Sequence, residues 1–357
     1  MRAPAAATLQ RRLAETLLRS WRGRGILSNV LVPAAWAFAA VAAVRRTLFA
    51  RGIRTSSKLP VPVVVVGNVL VGGAGKTPTV IAIVELLARR GYRPGVVSRG
   101  YGRTGRDAVL VNAAASAADV GDEPLLLHRR TGRPVAVGVD RVAAGHALLR
   151  AHPEVDVVVS DDGLQHLALE REVEVLVFDE RGAGNGRLLP AGPLREHLPA
   201  SLAPQQLVVY NADAPTTPLP GYVARRELAG VVPLAAWWAG ADAKSDSLAG
   251  LRGRRITAVA GVARPERFFA MLRAQGLEIV EQPLDDHADF TALPWPPGTV
   301  EVVVTEKDAV KLAPTRPLGA HVWVARLDFV PEPAFDAALL ALLAPPSSND
   351  RHGNTAP

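Results

Sequence analysis

VPVVVVGNVLVGGAGKTP, residues Val61–Pro78, decides how the rest of the chain is read. The valine run ending in Gly67-Asn68 is a buried strand by its length and its β-branching. Gly72, Gly73 and Gly75 then free the backbone to turn tightly and aim successive N–H groups at one point. Lys76 and Thr77 follow, and Thr79–Arg90 has helical periodicity. Strand, glycine loop, Lys-Thr and helix in this order suit a nucleoside triphosphate: amides and the helix N-terminus hold phosphates, Lys reaches the β/γ oxygens, and Thr ligates Mg²⁺. Position 70 is leucine where the usual pattern has glycine, so the additional glycine at 72 is read as taking over the turn. A plain glycine-rich turn is the alternative. Composition argues against it, because the chain has 36 Arg and only 5 Lys, yet position 76 is Lys. A compact ammonium fits between phosphates where a planar guanidinium does not.

At 357 residues the chain is long enough for two domains with cores of their own. It contains no cysteine, which excludes disulfides, thiolate metal sites and cysteine nucleophiles. Its eight histidines form no HExxH pattern or cluster, which argues against structural zinc. The net charge of +7 is unevenly spread. Residues 1–58 carry ten Arg and one Lys against Glu15, or +10, so the remainder sums to −3. The basic residues are interleaved with Leu, Trp and Ala, without base-stacking aromatics or a reader module, so nucleic acid is not the expected partner. An anionic membrane surface is. Leu9, Leu13, Leu17 and Trp21 recur every four residues with Arg11, Arg12, Arg19 and Arg22 between them, which describes a basic amphipathic helix. Ile26–Val44 then runs 19 residues without a charge, with Arg45-Arg46 behind it. An interfacial helix docked on the body is the preferred reading; a spanning helix, a signal peptide and a soluble packing helix are the alternatives.

Apolar strands alternate with helical stretches through the rest. Strands are expected at Pro94–Ser98, Pro134–Val137, Val155–Ser160, Val173–Phe178 and Leu207–Tyr210, with helices at Glu123–Arg130 and Arg141–Ala151. This predicts an α/β fold with a doubly wound, largely parallel sheet whose ligands gather at the strand C-termini. Asp213–Pro220 is a proline-rich break. Beyond it, strands at Thr257–Val262, Glu278–Val280, Val300–Thr305 and Val322–Ala325 and a helix at Glu266–Gln275 make a second, smaller α/β domain. The expected division is a helical segment 1–58, a nucleotide domain 59–212 with a ribbon or linker at about 176–195, a second domain 213–344, and a flexible tail 345–357.

Asp161-Asp162 sits at the mouth of a buried strand, where phosphate-loop proteins hold Mg²⁺ through hard oxygens; a turn cap is the alternative. Gln165 and His166 add neutral donors beside it. Gly121-Asp122-Glu123-Pro124 opens a helix, and Asp285-Asp286-His287 lies in the second half. A carboxylate from one and an imidazole from the other suit phosphoryl transfer to an alcohol, although each alone reads as a cap or a solvated loop. Arg99, Arg141 and Arg195 lie on the same face as candidate phosphate clamps.

GNVLVGGAGKTP (67–78), SRGYGR (98–103), GDEP (121–124), DDGLQH (161–166), LPAGPLRE (189–196), DDH (285–287) and TEKDAVKL (305–312) together resemble the tetraacyldisaccharide 4′-kinase family, in that family's order, from about Leu17 to Leu343. The resemblance implies an enzyme on the cytoplasmic face of the bacterial inner membrane that phosphorylates a lipid A precursor with ATP, built from a phosphate-loop domain and a smaller α/β domain joined by a β-ribbon. ATP would lie on Leu70, Val71, Gly72, Gly73, Ala74, Gly75, Lys76 and Thr77. Asp122 would be the catalytic base with His287 as its partner, and Thr77, Asp161, Asp162 and Glu196 the Mg²⁺ environment. Arg99, Glu123, Arg141, Gln165, His166 and Arg195 would fall near the phosphates or the acceptor. Position 164 is Leu where that motif has Phe, a change expected in packing and not in chemistry. No obligate protein partner is implied. Without the resemblance, a deviant phosphate-loop ATPase and a nucleotide-gated membrane adaptor remain open.

Overall fold

The computed structural model describes residues 16–286, 288, 290–313 and 315–345. The valine run forms β1 (Val63–Gly67), buried along its whole length between β5 (Val157–Asp161) and β6 (Val173–Asp179), parallel to both. Outside β5 lie β2 (Pro94–Ser98), β4 (Val135–Val137) and the antiparallel edge strand β3 (Val109–Leu110). Outside β6 lies β7 (Gln206–Asn211). Val64 and Val66 pack with Val80, Ile83, Val84 and Leu87 of the helix Lys76–Arg89. Val63 and Val65 face the other layer, with Ala144 and Leu148 of the helix Arg141–Ala151. Both faces of the strand are therefore covered, as a parallel sheet requires, and each buried valine stabilises by about 1.5 kcal/mol or more.

The second half contributes β8 (Tyr222–Pro233), β9 (Arg255–Ala260), β10 (Glu278–Pro283), β11 (Glu301–Thr305) and β12 (His321–Pro331). All the strands join one twelve-stranded sheet in the order β10-β9-β11-β12-β8-β7-β6-β1-β5-β2-β4-β3. Among the described residues the halves meet in that sheet at two residue pairs, Val209↔Tyr222 and Tyr210↔Val223. β8 then runs antiparallel to β12 from Ala224↔Pro331 to Pro233↔Trp323, with an irregularity at Arg326/Leu327. This long pair is the ribbon of the fold. Of the stretch at about 176–195 expected as a ribbon or linker, residues 176–179 complete β6, and no strand is formed over 180–205. β8 escaped the sequence reading because Arg225, Arg226, Glu227 and Gly230 interrupt its apolar alternation.

Near the N-terminus, helices Ile26–Val30 and Val32–Ala50 are separated at Leu31, just ahead of Pro33. Leu31, Val32, Ala35, Phe38 and Ala39 pack on the body. Pro33, Ala34, Trp36, Ala37, Ala40, Val41 and Val44 face outward, and Trp36 and Val41 are each 70% exposed. The helix Val32–Ala50 is long and apolar enough to cross a membrane. Leu9 and Leu13 of the expected amphipathic helix lie outside the described residues. Trp21, expected on its apolar face, instead donates its indole N–H to the Pro190 carbonyl (3.0 Å). The buried Asn185 amide donates to the Gly23 carbonyl and the Ser28 hydroxyl (3.1 and 3.0 Å), and Ser28 donates to the Ala191 carbonyl (2.6 Å). Residues from Trp21 onward are thus bonded into the fold.

Candidate active site

Gly72 and Gly75 carry the glycine loop through φ values of 96° and 98°, a left-handed backbone that side chains rarely adopt. Gly75 caps the helix that begins at Lys76, so the loop ends on an unpaired helix N-terminus, the dipole end that favours phosphate. Leu70, in place of the usual glycine, is fully buried and bridges to Leu194, while Val71 N–H donates to the Pro193 carbonyl (2.9 Å). The outer turn is carried by Gly72. Leu164 covers Gly67, where an added Cβ would stand 2.8 Å from its Cγ, so this leucine packs where the motif has phenylalanine.

Side chains remote in sequence hold the loop from behind. Arg181 donates to the Val71 and Gly73 carbonyls (3.2 and 3.1 Å) and pairs with the buried Asp179. Asn211 donates to the Ala74 carbonyl (3.1 Å) and accepts from Arg226 (3.0 Å). With the loop carbonyls tied backward, the N–H groups beyond Val71 are left for a ligand. Neither Arg181 nor Asn211 was marked by the sequence, since each acts on main chain more than a hundred residues away. Ala263 of the second half stands 3.6 Å from the position of a Cβ on Gly73, which closes one side of the loop.

Lys76 points back over the loop, 3.4 Å from both the Asn68 amide oxygen and the Asp162 carboxylate. Asp162 takes the left-handed conformation (φ 49°), which its short polar side chain tolerates. Its carboxylate also meets Arg195 (3.5 Å), and its carbonyl accepts from the buried Arg141 (3.3 Å). Arg195 donates to Gln165 (3.2 Å), and Gln165 donates to Glu196 (2.9 Å). Arg45 and Arg46 of the N-terminal helix close this chain at the Gln165 carbonyl (3.0 Å) and Glu196 (3.3 Å). His166 lies 3.7 Å from Asp140; burial, then the Arg141 charge, holds its imidazole below the usual histidine range.

Asp161 is buried at the end of β5, with one carboxylate oxygen accepting from the Ser98 hydroxyl (3.3 Å) and the other without a hydrogen-bond partner. Burial, followed by the nearby Glu123 and Asp162 carboxylates, pushes its carboxyl up to about 7, against the pull of Lys76. Glu123 is therefore electrostatically coupled to the same strand end as Lys76, and it sits in the first turn of the helix Asp122–Thr131 beside Asp122. Arg99 acts on Arg141, whose guanidinium is held below its ordinary value by burial first and Arg99 second. Asp122 meets Lys311 of the second half at 3.5 Å. His287 lies outside the described residues; Asp286 before it accepts from Lys307 (2.7 Å), in the same TEKDAVKL segment that supplies Lys311.

The loop, Asp161, Asp162, Glu123, Gln165, Arg141, Arg195 and Glu196 thus form one network, and Asp122 precedes Glu123 in the first turn of the same helix. The unsatisfied Asp161 oxygen is the feature a hard cation would relieve, with Thr77 at the start of the adjacent helix as a further oxygen donor. Among the described residues no three His, Asp or Glu converge on one point, so Asp161, Asp162 and Glu196 are not gathered as a three-carboxylate set.

The family model for tetraacyldisaccharide-1-P 4′-kinase matches residues 27–344. The tetraacyldisaccharide 4′-kinase of Methylibium petroleiphilum is 56% identical over 96% of each chain. That of Leptothrix cholodnii is 53% identical over 93% of this chain and 97% of its own. The crystal structure of LpxK from Aquifex aeolicus in complex with ATP superposes with a TM-score of 0.72 at 26% identity, covering 89% of this chain and all of that one. Carried by the whole length of the chain and by a phosphate loop built as that chemistry demands, the conclusion is that the chain belongs to the tetraacyldisaccharide 4′-kinase family.

Proposed function

We propose that this chain transfers the γ-phosphoryl group of ATP to the 4′-hydroxyl of a tetraacylated glucosamine disaccharide 1-phosphate, giving lipid IVA in lipid A biosynthesis. The observation that carries the proposal is the phosphate loop with Lys76 against Asp162 at the end of β5, which Glu123, in the first turn of the helix that Asp122 opens, reaches electrostatically. A bound triphosphate would lie along residues 70–77 with Lys76 on its β/γ oxygens. Asp122 accepts the proton of the sugar hydroxyl as it attacks phosphorus, and the ADP oxygen leaves from the opposite side. Thr77, Asp161 and Asp162 would hold Mg²⁺, with Glu196 in the surrounding ring because both its oxygens already accept from Gln165 and Arg46. Bound by these residues, magnesium would supply positive charge to offset the negative charge of the phosphates as the bond from the γ-phosphorus to the ADP oxygen breaks. Arg99, Arg141, Arg195, Glu123, Gln165 and His166 are assigned to the phosphates and the acceptor, and His287 to partnering Asp122.

Purified protein with ATP-Mg²⁺ should consume ATP only when the disaccharide lipid is present, and the label from [γ-³²P]ATP should appear on the sugar. Acceptor-independent hydrolysis at the same rate would instead favour the deviant ATPase.

A lipid acceptor with four acyl chains leaves a bilayer at a cost of about 0.8 kcal/mol per exposed CH₂, so the enzyme must go to the membrane. The outward face of Val32–Ala50 is the proposed contact, on the cytoplasmic side where ATP is available. Trp36→Glu combined with Val41→Glu should lower binding to anionic vesicles about tenfold or more while nucleotide affinity stays unchanged. Unaltered vesicle sedimentation would remove this helix from the docking surface.

A further inference from the structure

Lys311 is 6% exposed, and its ammonium has no hydrogen-bond partner among the described residues. A structural lysine so deeply placed is expected to have its donors satisfied. This one stands 3.5 Å from Asp122 and 3.8 Å from Asp308, with the Phe290 ring centroid at 5.5 Å. Those separations suit a group that tightens onto its partner only when a ligand arrives. The two carboxylates come from different halves of the chain. Asp122 opens the helix Asp122–Thr131, whereas Asp308 is fixed behind Lys311 by the Gly261 N–H (2.9 Å) and the Thr305 hydroxyl (2.7 Å).

We propose that Lys311 is a positioning residue for Asp122: its ammonium, supplied by the second half of the chain, keeps that carboxylate ionised and aimed while the acceptor binds. The inference rests on Asp122 being the base. A cation within about 4–6 Å favours a carboxylate's charged form, so Asp122 stays ready to accept a proton at lower pH than it otherwise would. Among the described residues the charged groups placed nearest the pair include Glu123 beside Asp122, Asp308 and Lys307 on the segment behind Lys311, and Asp286 against Lys307; His287, assigned to partnering Asp122, lies outside them. Burial raises the Asp308 carboxyl, while the Gly261 N–H, the Thr305 hydroxyl, Lys311 and Lys307 hold it down. When Asp122 takes the acceptor's proton and becomes neutral, Asp308 remains beside the ammonium.

Lys311→Met, assayed as full-length protein with ATP-Mg²⁺ and disaccharide lipid, should lower kcat about tenfold with the ATP KM little changed. The acid limb of its pH–rate profile should move to higher pH by about 1 or more, because the carboxylate has lost its cation. Lys311→Arg, which keeps the charge, should leave that limb in place. In an Asp122→Asn background, Lys311→Met should change the residual rate by less than about twofold, since its target is already gone. An unmoved limb, or an equal loss in both backgrounds, would overturn the proposal. Should Lys311→Met fail to fold, Lys311→Gln carries the same two readouts, and failure of both to fold would make the residue structural. Absence of acceptor-dependent transfer by the unaltered protein would instead count against the kinase reading, independently of Lys311.

Discussion

Asp122→Asn should lower phosphate transfer about a thousandfold, or ~4 kcal/mol of barrier, while ATP binding changes by less than about twofold. Asparagine keeps the shape of the side chain and can still sit in the first helical turn after Gly121, so the loop and Lys76 are untouched. What it loses is the ability to accept a proton. Single-turnover assays with labelled ATP and saturating disaccharide lipid, paired with calorimetric nucleotide binding, separate the two quantities. Transfer within tenfold of the unaltered protein would remove Asp122 as the base. A modest fall in stability is expected alongside, because the buried Lys311 ammonium loses the nearer of its two carboxylates.

Arg130→Met should be the most damaging single change to the fold, costing about 3–5 kcal/mol and lowering the thermal midpoint by about 5–10 °C. The Arg130 side chain is 4% exposed and ties together four elements. It meets Glu85 on the helix Lys76–Arg89 (3.2 Å), Glu306 immediately after β11 (2.8 Å) and Asp328 on β12. Methionine fills most of the volume but leaves three carboxylates around an apolar group. Arg326 remains for Glu85 and Asp328 (3.8 and 3.0 Å), so Glu306 is left most exposed to the loss. Burial already raises the Glu306 carboxyl against the pull of Arg130, and removing the guanidinium raises it further. A carboxyl whose folded value lies above its unfolded one destabilises the fold once pH exceeds the unfolded value, and the penalty disappears below it. The deficit of the variant should therefore be largest near pH 8 and shrink toward pH about 4.5. Urea unfolding at pH 8 and pH 5 reads this directly; a deficit that does not change with pH would assign the loss to packing alone.

The parts of this molecule that sequence disclosed are those written in short-range pattern. Val63–Val66, Val157–Val159 and Val302–Val304 can be little but buried strands, and the phosphate loop follows from the first of them. The helix Arg141–Ala151 begins and ends where expected, with Asp140 accepting from the Val142 and Ala143 N–H groups at its start. What stayed hidden depends on distant partners. Arg181 and Asn211 look like surface loop residues until the loop carbonyls they bind are placed beside them. Lys311 is 189 residues beyond Asp122, and no periodicity connects them. β8 is held by β12 and not by its own alternation, so nothing in its sequence marks it as a strand. Trp21 was given to an amphipathic face because a stripe of apolar residues does not say whether lipid or protein will cover it.

Arg45 and Arg46 turn inward to the Gln165 carbonyl and Glu196, while the other side of their helix is bare. With the bare face as the proposed membrane contact, anchor and candidate site would be one residue's reach apart. An enzyme so arranged would work in two dimensions: the acceptor it meets would be governed by its mole fraction in the surface layer and not by its bulk concentration. Spreading the same lipid through added inert detergent would dilute the substrate without removing any of it.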